Sequence, residues 1–159
     1  MLGTLRRSTI VLSLSVSAVT LGCPGLFGKG AKHAYLDRTT TNYVYKKPLK
    51  DVWPHARQLL LARGYELNDT DANHAETNWK LDATHKNRKR YSLVGIEVGP
   101  DKCRVQFSKT SERFGKFEWR RGVVERDLNV ELDLIEAVEP GVYRVMQDEG
   151  DKRARAAEE

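Results

Sequence analysis

Three oxygen-bearing side chains at alternate positions form the pattern in this chain that comes nearest to a metal site. Asp69, Asp71 and Asn73 match the first three ligand positions of a calcium-binding loop. His74 stands where such a loop has glycine, and Lys80 stands where it has the bidentate glutamate. Since the sharp turn and the strongest ligand are both missing, we interpret this stretch as an ordinary turn.

The other residue types that bind metals or act as nucleophiles follow no known motif. The sequence has no nucleophile elbow, phosphate-binding glycine loop or dinucleotide fingerprint, and its four histidines are not paired at metal-ligand spacing. Cys103 alternates with Val105 and Phe107, which predicts a small buried side chain rather than an activated thiol. We therefore expect no catalytic residue, no metal and no cofactor.

The densest local charge is the basic run at residues 85–90, which has Arg120 and Arg121 as possible neighbours. A solvated loop that protects a sheet from edge pairing is one interpretation of the run. The other is a contact with lipid phosphates or with an acidic partner, since each such cation contributes about 1 kcal/mol near an anionic membrane. The residues that we assign to this contact are Lys86, Arg88, Lys89 and Arg90.

Hydrophobic periodicity predicts the elements that would position these residues. A helix is expected to begin near Leu49 or Lys50 and to end at Gly64. A hairpin with strands at residues 91–98 and 102–109 is expected around Gly99-Pro100-Asp101. Residues 124–138 fit both a strand and a helix, and we choose the helix because of the length of the segment. Further strands are expected at residues 42–47, 65–68, 74–81 and 114–120, with a turn at 68–73 and a polar loop at 82–89.

These elements predict an α+β domain in which a curved antiparallel sheet packs against helices, in the order β-α-β-β-β-β-α. The three tryptophans fall on stripes that we assign to the core, namely Trp53, Trp79 and Trp119.

The charge of the chain is unevenly distributed. The 159 residues contain 27 Lys+Arg and 22 Asp+Glu, yet residues 1–22 contain no acidic residue. Arg6 and Arg7 precede an uncharged run at residues 8–21, which is too short and too rich in hydroxyls for a membrane span and is typical of an export signal. Its removal lowers the formal net charge from +5 to +3. We therefore expect no nucleic-acid partner.

The end of this segment, residues 19–23, resembles the lipobox of bacterial lipoproteins. The resemblance implies cleavage between Gly22 and Cys23 and acylation of Cys23, which would anchor the chain in a lipid bilayer. Pro24 replaces the aspartate of inner-membrane retention, so the resemblance implies the outer membrane, with the domain facing the periplasm. An ordinary secretory signal with an incidental cysteine is the alternative.

The organisation that follows is a signal peptide at residues 1–22, an acylated cysteine with a flexible tether at 23–41, a domain at 42–140, and a charged tail at 141–159 that is a frayed helix or disordered.

The first half of the domain resembles the helix-grip domains found in a lipoprotein component of the outer-membrane β-barrel assembly machine and in related bacterial lipoproteins. The matching positions are Tyr45, Pro48, Trp53-Pro54, Leu59-Leu60, Gly64-Tyr65, Thr77 and Trp79. The resemblance concerns structural residues, so it implies a fold rather than an activity.

The function expected is that of a non-enzymatic, membrane-anchored envelope lipoprotein that binds or scaffolds another envelope protein. The alternative is a carrier that holds a small apolar ligand between helix and sheet, and an envelope hydrolase ranks third.

Acylation of Cys23 is testable by metabolic labelling with a palmitate analogue. We expect labelled wild-type protein and an unlabelled Cys23→Ala variant, because the thiol is the attachment point for the diacyl group. Equal labelling of the two proteins would exclude the anchor.

Overall fold

The computed structural model describes residues 24–159, with side chains from Gly28 onward. The predicted signal segment, its cleavage point at Gly22 and the lipidation site Cys23 lie outside these residues. Within the described part, no helix combines the length and the apolar character that crossing a membrane requires.

The described residues form four helices and one six-stranded antiparallel sheet, which confirms the α+β prediction. The sheet is curved and open, its strands run in the order β1-β2-β4-β5-β6, and β3 pairs with β4. The predicted order of elements is only roughly matched. The bounds are α1 Pro24–Thr41, α2 Leu49–Ala62, β1 Leu67–Asp71, β2 His74–Thr77, β3 Lys80–Leu81, β4 Asn87–Gly99, β5 Lys102–Phe114, β6 Trp119–Arg126, α3 Leu128–Val138 and α4 Pro140–Ala156.

Helix α2 is the element that the sequence predicts most accurately. Val52, Ala56 and Leu60 are fully buried on one face, as their spacing requires. Gly64 has a φ of +73°, and its N–H donates to the carbonyl of Leu61 at 2.8 Å, which ends the helix in the expected way.

The core lies between the sheet on one side and α2 and α3 on the other. Strands β4 and β5 form the predicted hairpin, with Leu93 opposite Phe107. Both side chains are fully buried, as are Leu60 from α2 and Leu134 from α3. Burial of each such side chain stabilises the fold by about 1.5–3 kcal/mol, so this layer fixes the position of the long hairpin.

Both ends of the described chain correct a prediction. Residues 24–41 form helix α1 instead of a flexible tether, and residues 140–156 form helix α4 instead of a frayed or disordered tail. The two helices pack together: Leu36 and Met146 are buried, and Lys32 Nζ lies 2.6 Å from Asp151. Both helices also pack against α3, and this tertiary packing stabilises them.

The structure also corrects several strand boundaries. Residues 42–47 contribute only an isolated bridge between Tyr45 and Cys103, and β1 occupies most of the predicted turn at 68–73. Strand β4 already begins at Asn87, inside the predicted polar loop. The predicted strand at 114–120 contains the turn between β5 and β6.

Residues 124–138, whose sequence fits both a strand and a helix, form the end of a strand followed by a helix. Residues 124–126 belong to β6, and the helix begins only at Leu128. Asp127 separates the two elements, because its Oδ1 accepts the N–H of Val130 at 3.3 Å and caps the helix.

A buried ion pair joins α3 to the sheet. Strand β6 ends at Arg126, and beyond that point the Glu131 carboxylate accepts the N–H of Phe107 at 3.0 Å. Arg126 donates to both oxygens of Glu131, at 2.7 and 2.6 Å, and to the carbonyl of Thr41 at 3.0 Å. Burial raises the pKa of Glu131, and these hydrogen bonds offset only part of the effect.

Arg126→Met should lower the free energy of unfolding by about 3–5 kcal/mol at neutral pH, since it leaves Glu131 buried without its cation. Loss of the arginine raises the folded-state pKa of Glu131 further above its unfolded value. The deficit should therefore shrink as the pH falls through the raised folded-state pKa of Glu131, and its charge-dependent part should be gone near pH 4, where Glu131 is protonated in both states. Denaturant unfolding across this pH range measures it.

The double variant Arg126→Met/Glu131→Gln should recover much of the loss, because the amide keeps an acceptor for Phe107 without a charge. Lys152→Met, which removes an exposed pair at 3.9 Å, should change stability by less than about 1 kcal/mol. Equal losses in Arg126→Met and Lys152→Met would contradict this assignment.

Candidate anion-binding groove

A groove of about 1050 Å³ lies at the end of the sheet that extends beyond the C-terminus of α2. Strands β3, β4, β5 and β6 contribute to its walls, and Tyr65, just after α2, also lines it. Six basic side chains line this groove: Lys80, Lys89, Arg113, Lys116, Arg120 and Arg121.

The register of the sheet brings several of these cations together. Lys80 pairs with Lys89 across β3 and β4, and Arg113 pairs with Arg120 across β5 and β6. Directly paired residues project from the same face of a sheet, and alternate residues of one strand share that face. Lys89 therefore lies on the same face as Tyr91, the buried residue two positions further along β4.

Two carboxylates also line the groove, but both are engaged by other groups. The Asp82 carboxylate accepts the side-chain amide of Asn87 at 2.6 Å and backbone N–H groups of the loop. The hydrogen bond from Asn87, followed by that from Thr84, lowers the pKa of Asp82 to about 2. Glu112 accepts two hydrogen bonds from Arg88, at 2.8 and 2.6 Å.

The groove consequently has an excess of positive charge. Within residues 28–159, no carboxylate lies at ion-pair distance from Lys89, Arg113, Lys116, Arg120 or Arg121. Cations that line a concave surface reinforce one another's potential and concentrate anions there. The arrangement is suited to binding an anionic group such as a phosphate or a carboxylate.

Two of the lining residues, Tyr65 and Lys80, belong to a polar and aromatic cluster. The rings of Tyr65 and Tyr91 meet edge to face, with centroids 5.1 Å apart, and Tyr91 donates to Asp127 Oδ2 at 2.8 Å. Lys80 donates to the carbonyl of Arg63 at 2.5 Å and lies 5.1 Å from the centre of the Tyr65 ring. This cluster joins the groove to the cap of α3.

The structure divides the four cations that the sequence assigned to an anionic contact. Lys89 lines the groove, whereas Lys86 is exposed in the loop before β4. Arg88 and Arg90 alternate with Lys89 in the strand, and both form ion pairs, with Glu112 and Glu76 respectively. The prediction that all four contact the same anionic partner assumed that they lie in a loop. In strand β4 alternate side chains project from opposite faces, so the strand separates these cations.

The outer face of the sheet has its own aromatic cluster. The Arg88 guanidinium lies between two indoles, 4.4 Å from the Trp79 ring centre and 4.3 Å from that of Trp119. The assignment of Trp79 and Trp119 to the core is therefore wrong; only Trp53 packs against the buried cluster. Side chains alternate between the two faces of the sheet, and these three project from the same outer face. The two indoles therefore pack on either side of the Arg88 side chain.

No binding site predicted from the sequence includes Lys80, Arg113 or Lys116. They are distant in sequence from the basic run, and only the pairing of β3 through β6 brings them to it. Alternation along an extended β5 predicts that Arg113 shares a face with the core residues of that strand. Because the strand was predicted to end at residue 109, the sequence did not place Arg113 on this face.

The remaining candidate residues have structural roles. Asp69 forms an ion pair with Arg57, and Asp71 accepts the N–H of Asn73 at 2.9 Å. The side chain of Cys103 is fully buried, as predicted, and burial raises the pKa of its thiol to about 11. A thiol in this state is not a nucleophile at neutral pH.

Comparisons of the chain with descriptions of known protein families, with curated proteins and with solved structures give no match.

Arg88→Lys should lower the free energy of unfolding by about 1–2 kcal/mol, because an ammonium group replaces neither the stacking between two indoles nor the paired hydrogen bonds to Glu112. Arg90→Lys is the matched control: Arg90 lies near one indole only, at 5.0 Å, and has a longer ion pair of 3.3 Å. Denaturant unfolding followed by tryptophan fluorescence measures both variants. A larger loss of stability in Arg90→Lys than in Arg88→Lys would contradict the stabilising role of Arg88 between the two indoles.

Proposed function

We propose that this protein is a non-enzymatic envelope lipoprotein, anchored in the outer membrane through Cys23, whose domain binds an anionic partner in the groove between β3 and β6. The observation that carries the proposal is the cluster of five cations that have no carboxylate partner among residues 28–159. Ion pairs engage other surface cations of the same sheet, including Arg88, Arg90 and Lys109.

The cost of leaving these cations together supports a binding role. Like charges on neighbouring strands repel one another, so the cluster opposes folding instead of stabilising it. An anionic partner would relieve this repulsion on binding. Paired strands and the Tyr65–Tyr91 cluster support the groove, so its backbone loses little conformational entropy when the partner binds.

The alternative function, a carrier of a small apolar ligand, receives less support from the interior. Trp53 and Leu49 lie directly over Gly95, where an added Cβ would come within 3.2 Å of the indole and 2.8 Å of the leucine. Trp79 lies on the outer face of the sheet against Arg88 and therefore does not line a space between helix and sheet. Side chains occupy the region where the ligand was expected.

The groove is testable with a photoreactive amino acid in living cells. p-Benzoylphenylalanine in place of Leu81, an exposed residue of the groove wall, should capture a binding partner on irradiation. The charge-reversing pair Lys89→Glu/Arg113→Glu should abolish the captured product, because it changes the groove from cationic to nearly neutral.

Lys102→Glu/Arg144→Glu is the matched control, since it makes the same change in net charge at two exposed residues outside the groove. Capture should persist in this variant. Absence of any captured product, or equal loss in both double variants, would contradict the proposed binding site.

A further inference from the structure

We infer that the anionic partner is the phospholipid bilayer itself and that the turn between β5 and β6 inserts into its interface, with Phe117 in the acyl boundary and the groove cations on the headgroup phosphates. This inference rests on the proposed function and names the partner of the same groove.

The turn presents an aromatic side chain to solvent. Phe117 is 92% exposed, the largest exposed fraction among the large apolar side chains of the described residues. It lies in the turn between Gly115 and Glu118, which is closed by a hydrogen bond of 2.8 Å from the Gly115 N–H to the Glu118 carbonyl. Edge-to-face packing of Phe114 on Trp119, with centroids 5.3 Å apart, supports the base of the turn. The hairpin therefore holds Phe117 away from the domain.

Several groove cations lie in the same hairpin as Phe117. Lys116 precedes Phe117 in the turn, and the paired Arg113 and Arg120 follow at the base of the hairpin. Glu118 is the one acidic residue of the turn at residues 115–118. An exposed apolar side chain next to several cations is typical of proteins that bind anionic bilayers. In such proteins, insertion of the apolar side chain and electrostatic attraction to the headgroups act together.

The exposed ring distinguishes a bilayer from the other anionic partners. A free phosphate or a small soluble anion would use the cations of the groove but would leave Phe117 in water. A protein partner would need an apolar pocket that matches one side chain at a hairpin tip, whereas a bilayer accepts the ring without a shaped pocket.

Pairing of a partner strand with the edge of the sheet is disfavoured. The register between β5 and β6 shifts between Thr110 and Glu112, which marks a bulge in β6. Gly122 lies in this bulge, so close to β5 that an added Cβ would come within 2.5 Å of the Ser111 carbonyl oxygen. Bulges disrupt the ladder of an edge strand and make it a poor template for a further strand.

The proposed anchor on Cys23 would itself hold the domain at a bilayer. Helix α1 begins at Pro24, the residue after Cys23, and packs against α4. An acyl group on Cys23 would thus join the domain without a long flexible spacer. The domain would meet the membrane that carries its anchor at a high effective concentration.

Fluorescence quenching by lipids tests the inference on the full chain. Phe117→Cys in a Cys23→Ser background receives an environment-sensitive fluorophore, while the fully buried Cys103 resists labelling. The labelled chain is added to vesicles of phosphatidylcholine, with or without an equal part of phosphatidylglycerol, that contain a quencher attached to the acyl chain. Lys102→Cys is the matched position, at the other end of β5 and about 40 Å away.

Quenching should occur at position 117 and not at position 102, and only in vesicles that contain phosphatidylglycerol. Lys89→Glu/Arg113→Glu should raise the lipid concentration at half-maximal quenching about 25-fold or more, at about fivefold or more for each cation removed. An unquenched label at position 117 would overturn the inference, as would quenching that is independent of phosphatidylglycerol or of the groove cations.

The quenching result separates this inference from the proposed function. If the label at position 117 stays in water while the photoreactive residue at position 81 still captures a protein or a soluble anion in a charge-dependent way, the bilayer is the wrong partner and the groove remains a binding site. Loss of both signals would overturn the two proposals together.

Discussion

The ion pair between Arg126 and Glu131 is the interaction on which the arrangement of the layers depends. Strand β6 ends at Arg126, which leaves the N–H of Phe107 without a strand partner in the middle of the sheet. A buried N–H without an acceptor is costly, and the carboxylate of Glu131 supplies the acceptor from the first turn of α3. The N–H of Asp127 donates to the carbonyl of Phe107 at 2.8 Å and completes the same junction.

The junction determines the position of both surfaces of the domain. Arg126 also binds the last carbonyl of α1, that of Thr41, and so joins the helical pair α1 and α4 to the sheet. Asp127, the next residue, caps α3 and accepts the hydroxyl of Tyr91, whose ring packs on the groove residue Tyr65. Burial of Glu131 is tolerated because one arginine satisfies both of its oxygens.

Local sequence patterns predicted the elements whose stability is local or whose faces are strongly apolar. The stripe of Val52, Ala56 and Leu60, the C-terminal Gly64 and the turn after Gly99 were all sufficient to place α2 and the central hairpin. Helices α1 and α4 could not be predicted in this way, because Leu36 and Met146 are buried only against residues distant in the chain.

The candidate site was likewise predicted only in part. Lys89 was identified from a run of charge and Arg120 as its possible neighbour, whereas Arg113 joins them only through the register of β5 with its two neighbours. Clusters of charge along a sequence therefore predict a site only when the faces of the strands are known.

In our proposal the basic end of the sheet is the surface that meets the membrane. Hydrogen–deuterium exchange of the full chain, with and without nanodiscs that contain phosphatidylglycerol, tests this contact across the whole described domain in one experiment. We expect slower exchange at residues 80–89 and 111–121 on binding and unchanged exchange around Trp53 and Asp69, on the other side of α2. Protection confined to the surface near Trp53 and Asp69, or no protection of the hairpin between β5 and β6, would contradict the proposed contact.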